Sequence, residues 1–250
     1  MANNTTEDAS SAPAILSIRN LSCAYVTRPW GVFGKKEVKP VLNRVNLEMK
    51  QGEIFGIIGE SGSGKSTLGK CVLGLINYEG EIMINGRRLG EKPPLREMRE
   101  RALEVQAVFQ DPGSSLNPVK SVGWILEEPL RVHGTGSAAE RQFQVDHMMD
   151  LVGLDSSYKK RKPSELSPGQ KQRVSIGAAL MLKPGLIVAD EPTSALDVMV
   201  GAQIINLFRE LNEQLNLALL FISHNLDLVD YLCDRVAVLD KGRLEVVSSF

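Results

Sequence analysis

From residue 15 onward, hydrophobic and polar positions alternate along the chain, and later segments contain continuous apolar runs. The segments ILSIRNLSCAY (15–25) and VLNRVNLEMK (41–50) alternate with the two-residue period of half-buried strands. The runs IFGII (54–58), GLIVAD (185–190) and LALLFIS (217–223) contain almost only apolar residues. Continuous apolar strands are typical of a sheet that is covered on both faces. We therefore predict half-buried strands near the start of the chain and fully buried strands later.

Between residues 113 and 182 the strand pattern disappears and helical spacing replaces it. Apolar residues recur at three- and four-residue intervals in VGWILEEPLRV (122–132) and AERQFQVDHMMDLVGL (139–154). Outside this stretch, strands alternate with helices such as MVGAQIINLFRELNEQL (199–215). This alternation favours an α/β fold with a mostly parallel sheet, into which a helical unit is inserted.

The predicted organisation is a single domain that follows a polar tail. Residues 1–14 show no apolar periodicity and are expected to be disordered. Residues 15–112 and 183–250 are assigned to the core, and residues 113–182 to the inserted helical unit. The segment GEIMINGRRL (80–89) predicts a hairpin strand with an Asn-Gly turn.

Composition and charge narrow the range of partners. The chain has 250 residues with a formal net charge of −1, which argues against a broad nucleic-acid surface. Its three cysteines lie far apart, as expected of buried thiols in a reducing compartment. No apolar run approaches the length of a membrane span. If the protein acts at a membrane, we therefore expect it to do so through a partner protein.

The segment GESGSGKS (59–66) carries the first clear chemistry. It fits the pattern G-x-x-x-x-G-K-[ST] between an apolar strand and an amphipathic helix. Glycines allow successive backbone N–H groups to face a phosphate, Lys65 adds a positive charge, and the Ser66 hydroxyl suits Mg²⁺. The motif predicts nucleotide binding without specifying a reaction.

Four further side chains follow predicted strands. Asp190 and Glu191 end an apolar strand, where a carboxylate pair could hold Mg²⁺ and orient an attacking water. Gln110 and His224 also follow strands, so an amide and an imidazole could contact a metal, water or phosphate. By themselves, Gln110 is more simply a polar loop residue and His224 a structural histidine.

Taken together, these motifs occur in the order found in ATP-binding-cassette (ABC) ATPases. In chain order they are the P-loop GESGSGKS (59–66), Gln110, the signature LSPGQ (166–170), LIVADEP (186–192), SALD (194–197) and His224. The resemblance covers nearly all of residues 15–245. The resemblance implies a P-loop NTPase (RecA-like) parallel core, an N-terminal antiparallel β subdomain and an inserted α-helical subdomain. It also implies ATP and Mg²⁺ as cofactors.

The resemblance further implies a role for each matching position. Tyr25 would stack on adenine, with a core strand tyrosine as the less favoured alternative. Ser66 and Gln110 would ligate Mg²⁺, and Asp190 would hold the ion through water. Glu191 would be the general base and His224 the γ-phosphate sensor, while Lys65 and Gln110 complete the catalytic set. The implied nucleotide-binding set is Tyr25, Gly59, Glu60, Ser61, Gly62, Ser63, Gly64, Lys65, Ser66, Thr67, Gln110, Asp190, Glu191, His224, the signature residues Ser167, Gly169 and Gln170, and Asp197 at a dimer seam.

The segments VFQDPGSSLNP (108–118), SVGWILEEPL (121–130) and VTRPWGVFGKKEVKP (26–40) resemble the ATPase subunits of peptide and nickel importers. The last of these is expected to be a long Gly/Pro-rich loop. Many peptide-importer ATPases continue with a C-terminal extension, whereas this sequence ends at Phe250, which leaves two alternatives: a short nickel- or metallophore-type subunit, or a truncated chain.

The resemblance to importers implies partners and a location. The implied partners are a second ABC ATPase subunit, two membrane-spanning permeases and, indirectly, an extracellular or periplasmic substrate-binding protein, with no nucleic acid. The implied cargo is a peptide, nickel, or a metal-chelate or opine-like compound. The location would be peripheral, on the cytoplasmic face of the inner membrane.

Three other functions remain open at this point. The chain could be a non-transport cassette ATPase of DNA maintenance or translation, although such proteins usually carry coiled coils or two cassettes. It could be a regulatory module with an inactive site, against which Lys65, Asp190 and Glu191 argue. It could also be the ATPase of an exporter.

Pro168 stands where the cassette signature usually has glycine. Ser167, Pro168 and Gln170 predict a helix start with a capping box and proline at the first helical position. Proline removes one N–H donor, so we expect the ATP site that this signature completes to be weaker than its counterpart.

Overall fold

Two sheets form the framework of the chain in the computed structural model, which describes residues 14–27, 37–90 and 94–247. The predicted tail lies outside these residues, except for Ala14, which begins the first strand. The strands are β1 (Ala14–Thr27), β2 (Glu37–Lys50), β3 (Ile54–Ile58), β4 (Glu79–Ile84), β5 (Arg87–Arg88), β6 (Val105–Val108), β7 (Leu186–Asp190), β8 (Ala218–Ile222), β9 (Arg235–Asp240) and β10 (Arg243–Val247).

Helices connect these strands and fill the region between β6 and β7. They are α1 (Lys65–Val72), α2 (Leu95–Ala102), α3 (Pro112–Ser115), α4 (Val122–Val132), α5 (Ala138–Leu151), α6 (Pro168–Leu180), α7 (Val198–Leu215) and α8 (Leu226–Leu232), with 3₁₀ turns at Ser156–Lys160 and Pro163–Glu165. The stretch predicted as an inserted helical unit, 113–182, contains α4, α5, α6 and most of α3.

The larger sheet has six strands in the order β10-β9-β3-β8-β7-β6. Strands β9, β3, β8, β7 and β6 run parallel, and only β10 is antiparallel. The smaller sheet has the order β2-β1-β4-β5 and is antiparallel throughout. This is the predicted α/β fold with an antiparallel β subdomain.

The apolar runs of the central strands are continuous because each strand serves two cores. In β3, Phe55 and Ile57 pack into the core shared with β1, β2, β4 and α1. Ile54 and Ile58 point the other way, into the core shared with the helices α4 to α7. Both faces of the sheet are therefore covered, as the unbroken hydrophobicity predicts.

Two sequence predictions need correction. The loop predicted for 26–40 is shorter, because β1 continues to Thr27 and β2 begins at Glu37; residues 28–36 lie outside the described part. The helix α2 was missed because LREMRERA is almost entirely polar and offers no apolar stripe. Its residues are good helix formers, and Arg96 pairs with Glu100 one turn later.

Two hairpins of the same kind give a matched test of stability. Asn85-Gly86 joins β4 to β5 and Lys241-Gly242 joins β9 to β10, and all four residues have positive φ angles. A Cβ on Gly86 would meet nothing within 4 Å, whereas one on Gly242 would lie 2.3 Å from the carbonyl oxygen of Val41.

We expect Gly86→Ala to lower the free energy of unfolding by about 1–2 kcal/mol, because alanine is strained in the left-handed conformation. Gly242→Ala adds a backbone clash that separates β10 from β2, so we expect at least twice the loss in the free energy of unfolding. Urea unfolding of both variants measures the difference. Equal losses in the two variants would show that the backbone at Val41 moves away from the new Cβ without loss of stability.

Candidate active site

The predicted site residues gather at one edge of the six-stranded sheet. Since β3, β6, β7 and β8 are parallel neighbours, their carboxyl ends lie side by side. The P-loop follows β3, Gln110 follows β6, Asp190 and Glu191 end β7, and His224 follows β8. This edge is where ligands bind in open parallel sheets.

The P-loop leads directly into α1 and leaves the helix N-terminus free to bind an anion. Gly64 is the N-cap residue with a φ of 112°, and no side chain caps the helix. The first N–H groups of the helix are therefore available to a phosphate, together with the positive end of the helix dipole. Gly59 is required at the start, because a Cβ there would lie 2.2 Å from the carbonyl oxygen of Leu239.

Two polar P-loop side chains are buried beside these N–H groups. The Lys65 ammonium donates hydrogen bonds to the carbonyl oxygens of Gly59 (2.7 Å) and Glu60 (2.9 Å), so the loop curls around it. The Ser63 hydroxyl is buried and has no hydrogen-bond partner among the described residues. A free hydroxyl, an ammonium and free N–H groups form a donor set that fits the oxygens of a phosphate.

A hydrogen bond joins Ser66, at the start of α1, to Asp190, at the end of β7. The Ser66 Oγ donates to the Asp190 Oδ1 at 3.1 Å, which links α1 to the end of β7. Burial raises the pKa of the Asp190 carboxyl, and Glu191 raises it further, while the Ser66 hydrogen bond, Lys70 and Lys65 oppose the shift. A bound divalent cation would relieve this cost, because it pairs with the ionised carboxylate.

Glu191 is held in an unusual conformation next to His224. Its φ is 49°, in the left-handed region, and its N–H donates to the Ile222 carbonyl oxygen at 2.9 Å. The Glu191 Oε2 lies 2.8 Å from the Nδ1 of His224, whose side chain is 63% exposed. This conformation follows the end of β7 at Asp190 and is found together with a carboxylate that contacts His224, the second residue after β8.

Tyr25 and Gln110 lie at the two sides of the site. The Tyr25 ring is 39% exposed, and its hydroxyl lies 3.4 Å from the Thr67 hydroxyl on α1. Sequence analysis did not foresee this contact, which ties Tyr25 to the P-loop helix. Gln110 is exposed, and within the described residues its amide makes no hydrogen bond that would join it to Ser66 or Asp190.

The signature segment lies at the start of α6. Ser167 is the N-cap residue: its hydroxyl accepts from the Gln170 N–H at 3.3 Å, and its own N–H donates to the Gln170 Oε1 at 2.9 Å. Pro168 takes the first helical position, where no intrahelical donor is needed. Gly169 is buried, and a Cβ on it would lie 2.5 Å from a methyl carbon of Val200.

Asp197 lies at the start of α7. Its carboxylate accepts a hydrogen bond from the Val200 N–H at 2.9 Å and so caps that helix, a role that sequence analysis missed. The next two side chains, Val198 and Met199, are 92% and 75% exposed. Neither Asp197 nor the signature touches the P-loop group through a hydrogen bond among the described residues.

Comparison with known proteins gives a consistent result. Residues 42–194 match the family described as ABC transporter. The chain is 43% identical to a Brucella ovis ATP-binding protein whose name refers to peptide import, over 94% of this chain and 72% of that protein. It is 41% identical to the oligopeptide transport ATP-binding protein AppF of Bacillus subtilis, with the same coverage of both chains.

A solved structure shows the same likeness. The dimeric ATP-binding cassette MJ0796, in a post-hydrolysis state bound to ADP and Pi, superimposes with a TM-score of 0.79 and 30% identity. The match covers 94% of this chain and 100% of that one.

The Asp190 environment predicts a pH-dependent stability. Because its pKa is raised in the folded chain, the ionised carboxylate destabilises the fold, and this penalty is absent only at pH values below the ordinary carboxyl range. We therefore expect Asp190→Asn, measured in EDTA, to raise the melting temperature at pH 7.5 and to lose this advantage as the pH falls towards 4. Thermal unfolding followed by circular dichroism checks it. A lower melting temperature for the variant at pH 7.5 would contradict the buried-charge interpretation.

Proposed function

The chain belongs to the ABC transporter family and is an ATPase, and from this premise we propose that it is the ATP-hydrolysing subunit of a peptide importer. The observation that carries the catalytic part is the group formed by Ser66, Asp190, Glu191 and His224 at one sheet edge. Peptides are favoured as cargo because two relatives carry peptide or oligopeptide transport in their names. Nickel and metal-chelate or opine-like cargo remain alternatives from the sequence resemblance alone.

ATP binding is assigned to the P-loop and Tyr25. The free N–H groups of α1, with the Lys65 ammonium and the Ser63 hydroxyl, hold the β- and γ-phosphates. The exposed part of the Tyr25 ring stacks on the adenine, and its contact with Thr67 fixes the ring relative to the P-loop helix.

Mg²⁺ is assigned to Ser66 and Gln110, with Asp190 acting through water. Among the described residues, no group of three or more His, Cys, Asp or Glu side chains could hold a metal alone. Phosphate oxygens would therefore complete the ligand set, as is usual for Mg²⁺ in nucleotide sites. When bound, the metal would neutralise charge on the reacting phosphates. Ser66 and Asp190 already share a hydrogen bond, so these two groups are preorganised.

The hydrolytic step is assigned to Glu191 and His224. The Glu191 carboxylate accepts a proton from the attacking water. His224 binds Glu191 at 2.8 Å and presents its other ring nitrogen to the γ-phosphate.

A second ATPase subunit, identical or different, would complete the site. The signature residues Ser167, Gly169 and Gln170 would contact the nucleotide of that partner, and Asp197 would lie at the seam beside the exposed Val198 and Met199. This agrees with the dimeric MJ0796 cassette.

The helical unit 113–182 would dock on two permeases, and an outer binding protein would deliver the cargo. Across 14–27, 37–90 and 94–247, the helices are too short or too polar to cross a bilayer. We place the chain peripherally, on the cytoplasmic face of the membrane.

Glu191→Gln tests the assignment of the general base. The amide keeps the shape of the side chain but cannot accept the proton, so we expect turnover to fall at least about 100-fold while ATP binding is retained. Phosphate release by the assembled transporter and equilibrium binding of a fluorescent ATP analogue measure the two effects. Glu210→Gln, on the exposed face of α7, is the control and leaves both unchanged. Normal turnover in Glu191→Gln would remove Glu191 as the base.

Two capping boxes of the same type test the role of the signature. Ser137 caps α5 with Glu140 as Ser167 caps α6 with Gln170, so replacing either serine by alanine should cost about 1 kcal/mol of stability. Only Ser167→Ala should also weaken ATP-driven dimerisation, because only that hydroxyl is assigned to a nucleotide. Denaturant unfolding and size-exclusion chromatography with ATP separate the two effects. Equal dimerisation of both variants would contradict the assignment.

A further inference from the structure

Gln172, on the signature helix α6, is a buried amide without partners. Its side chain is 0% exposed, and both its Oε1 and Nε2 lack a hydrogen bond with any described residue. Buried polar groups are nearly always paired, and one that is unpaired loses its hydration without compensation. An apolar side chain of the same length would fill this position without that loss.

The helix geometry shows which neighbours Gln172 faces. At 3.6 residues per turn, Gln172 is about 60° from Gly169 and about 140° from Gly177 around α6. Gly169 contacts Val200 of α7, whereas Gly177 faces Leu126 and other side chains of the helical unit. Gln172 therefore lies nearer to the face of α6 that meets α7 than to the face that meets α4 and α5.

A short connection leads from α6 to the predicted nucleotide site. The exposed Gln110 follows β6 and is separated from α3 (Pro112–Ser115) by only Asp111. Both β6 and α3 pack against α6. A shift of Gln110 towards a metal beside Ser66 and Asp190 therefore moves elements that are in contact with α6.

We propose that Gln172 is a positioning residue whose amide is unpaired in the arrangement described here and becomes hydrogen-bonded in a second arrangement, in which Mg-ATP draws the Gln110 loop and α3 across α6. This inference rests on the proposed function. The unpaired amide raises the free energy of the first arrangement, so it favours the second, to which Mg-ATP binds. Gln172 acts through α3 and Gln110 and does not itself touch ATP.

The variant Gln172→Met tests the idea in the full chain. Methionine matches glutamine in length and helix propensity but has no amide to leave unpaired. We expect its nucleotide-free melting temperature to rise by about 2–4 °C or more. We expect its dissociation constant for a fluorescent ATP analogue with Mg²⁺ to increase about tenfold, because the bound arrangement loses hydrogen bonds.

Gln106→Met is the matched control. Gln106 is a half-buried glutamine on β6 whose Nε2 donates to the Ala102 carbonyl oxygen. Here methionine removes a hydrogen bond that exists, so the melting temperature should fall while the dissociation constant for ATP stays the same. If the melting temperature rises in Gln172→Met and falls in Gln106→Met, the rise comes from removal of an unpaired amide and not from a general effect of methionine.

Each outcome has a distinct meaning. A melting temperature that is unchanged or lower in Gln172→Met overturns the unpaired amide. A higher melting temperature with unchanged ATP affinity would show that pairing of the Gln172 amide is not coupled to ATP binding, and that Gln172 has only a structural role. If the unaltered chain fails to bind ATP, the P-loop assignment fails instead, and the melting temperature still tests the state of Gln172.

Discussion

Parallel pairing of the central strands is the constraint on which the rest of the site depends. Each strand that enters the sheet in the same direction brings its carboxyl end to the same edge, so residues that are distant in sequence meet there. The hydrogen bond between Ser66 and Asp190 and the contact between Glu191 and His224 are both consequences of this pairing. Only strands buried on both faces can be arranged in this way, which explains why their sequences are apolar without alternation.

The sequence predicts those parts of the molecule that have strong local signals. The P-loop and the Asn-Gly hairpin could be recognised because the backbone requires their residue types at positive φ angles. The apolar strands could be recognised because both of their faces are buried. The contact between Tyr25 and Thr67 could not be predicted, since it depends on how β1 is placed over α1 in three dimensions. The polar helix α2 and the cap at Asp197 carry only weak signals of their own.

The buried polar groups of the chain fall into two sets with different meanings. Glu53 is buried but bonded to Arg235 and to the Lys50 N–H, so its burial contributes to the fold. Ser63 and Gln172 are buried and unbonded among the described residues, as are Nε and Nη1 of Arg101 and Oε2 of Glu104. Of these residues, only Ser63 and Gln172 lie in elements assigned to nucleotide binding, where a ligand or a second arrangement can later satisfy an unpaired group.

Gly169 has a consequence for how this family of sequences can change over time. The absence of its side chain lets α6 approach α7 closely, because a Cβ there would collide with Val200. The glycine is therefore required by a neighbour within the same chain, independently of any phosphate that it contacts in another. A descendant of this protein that had lost ATP hydrolysis would still be under selection to keep that glycine. Its presence alone is consequently a poor marker of catalytic competence, whereas the pair of Glu191 and His224 has no such structural reason to survive.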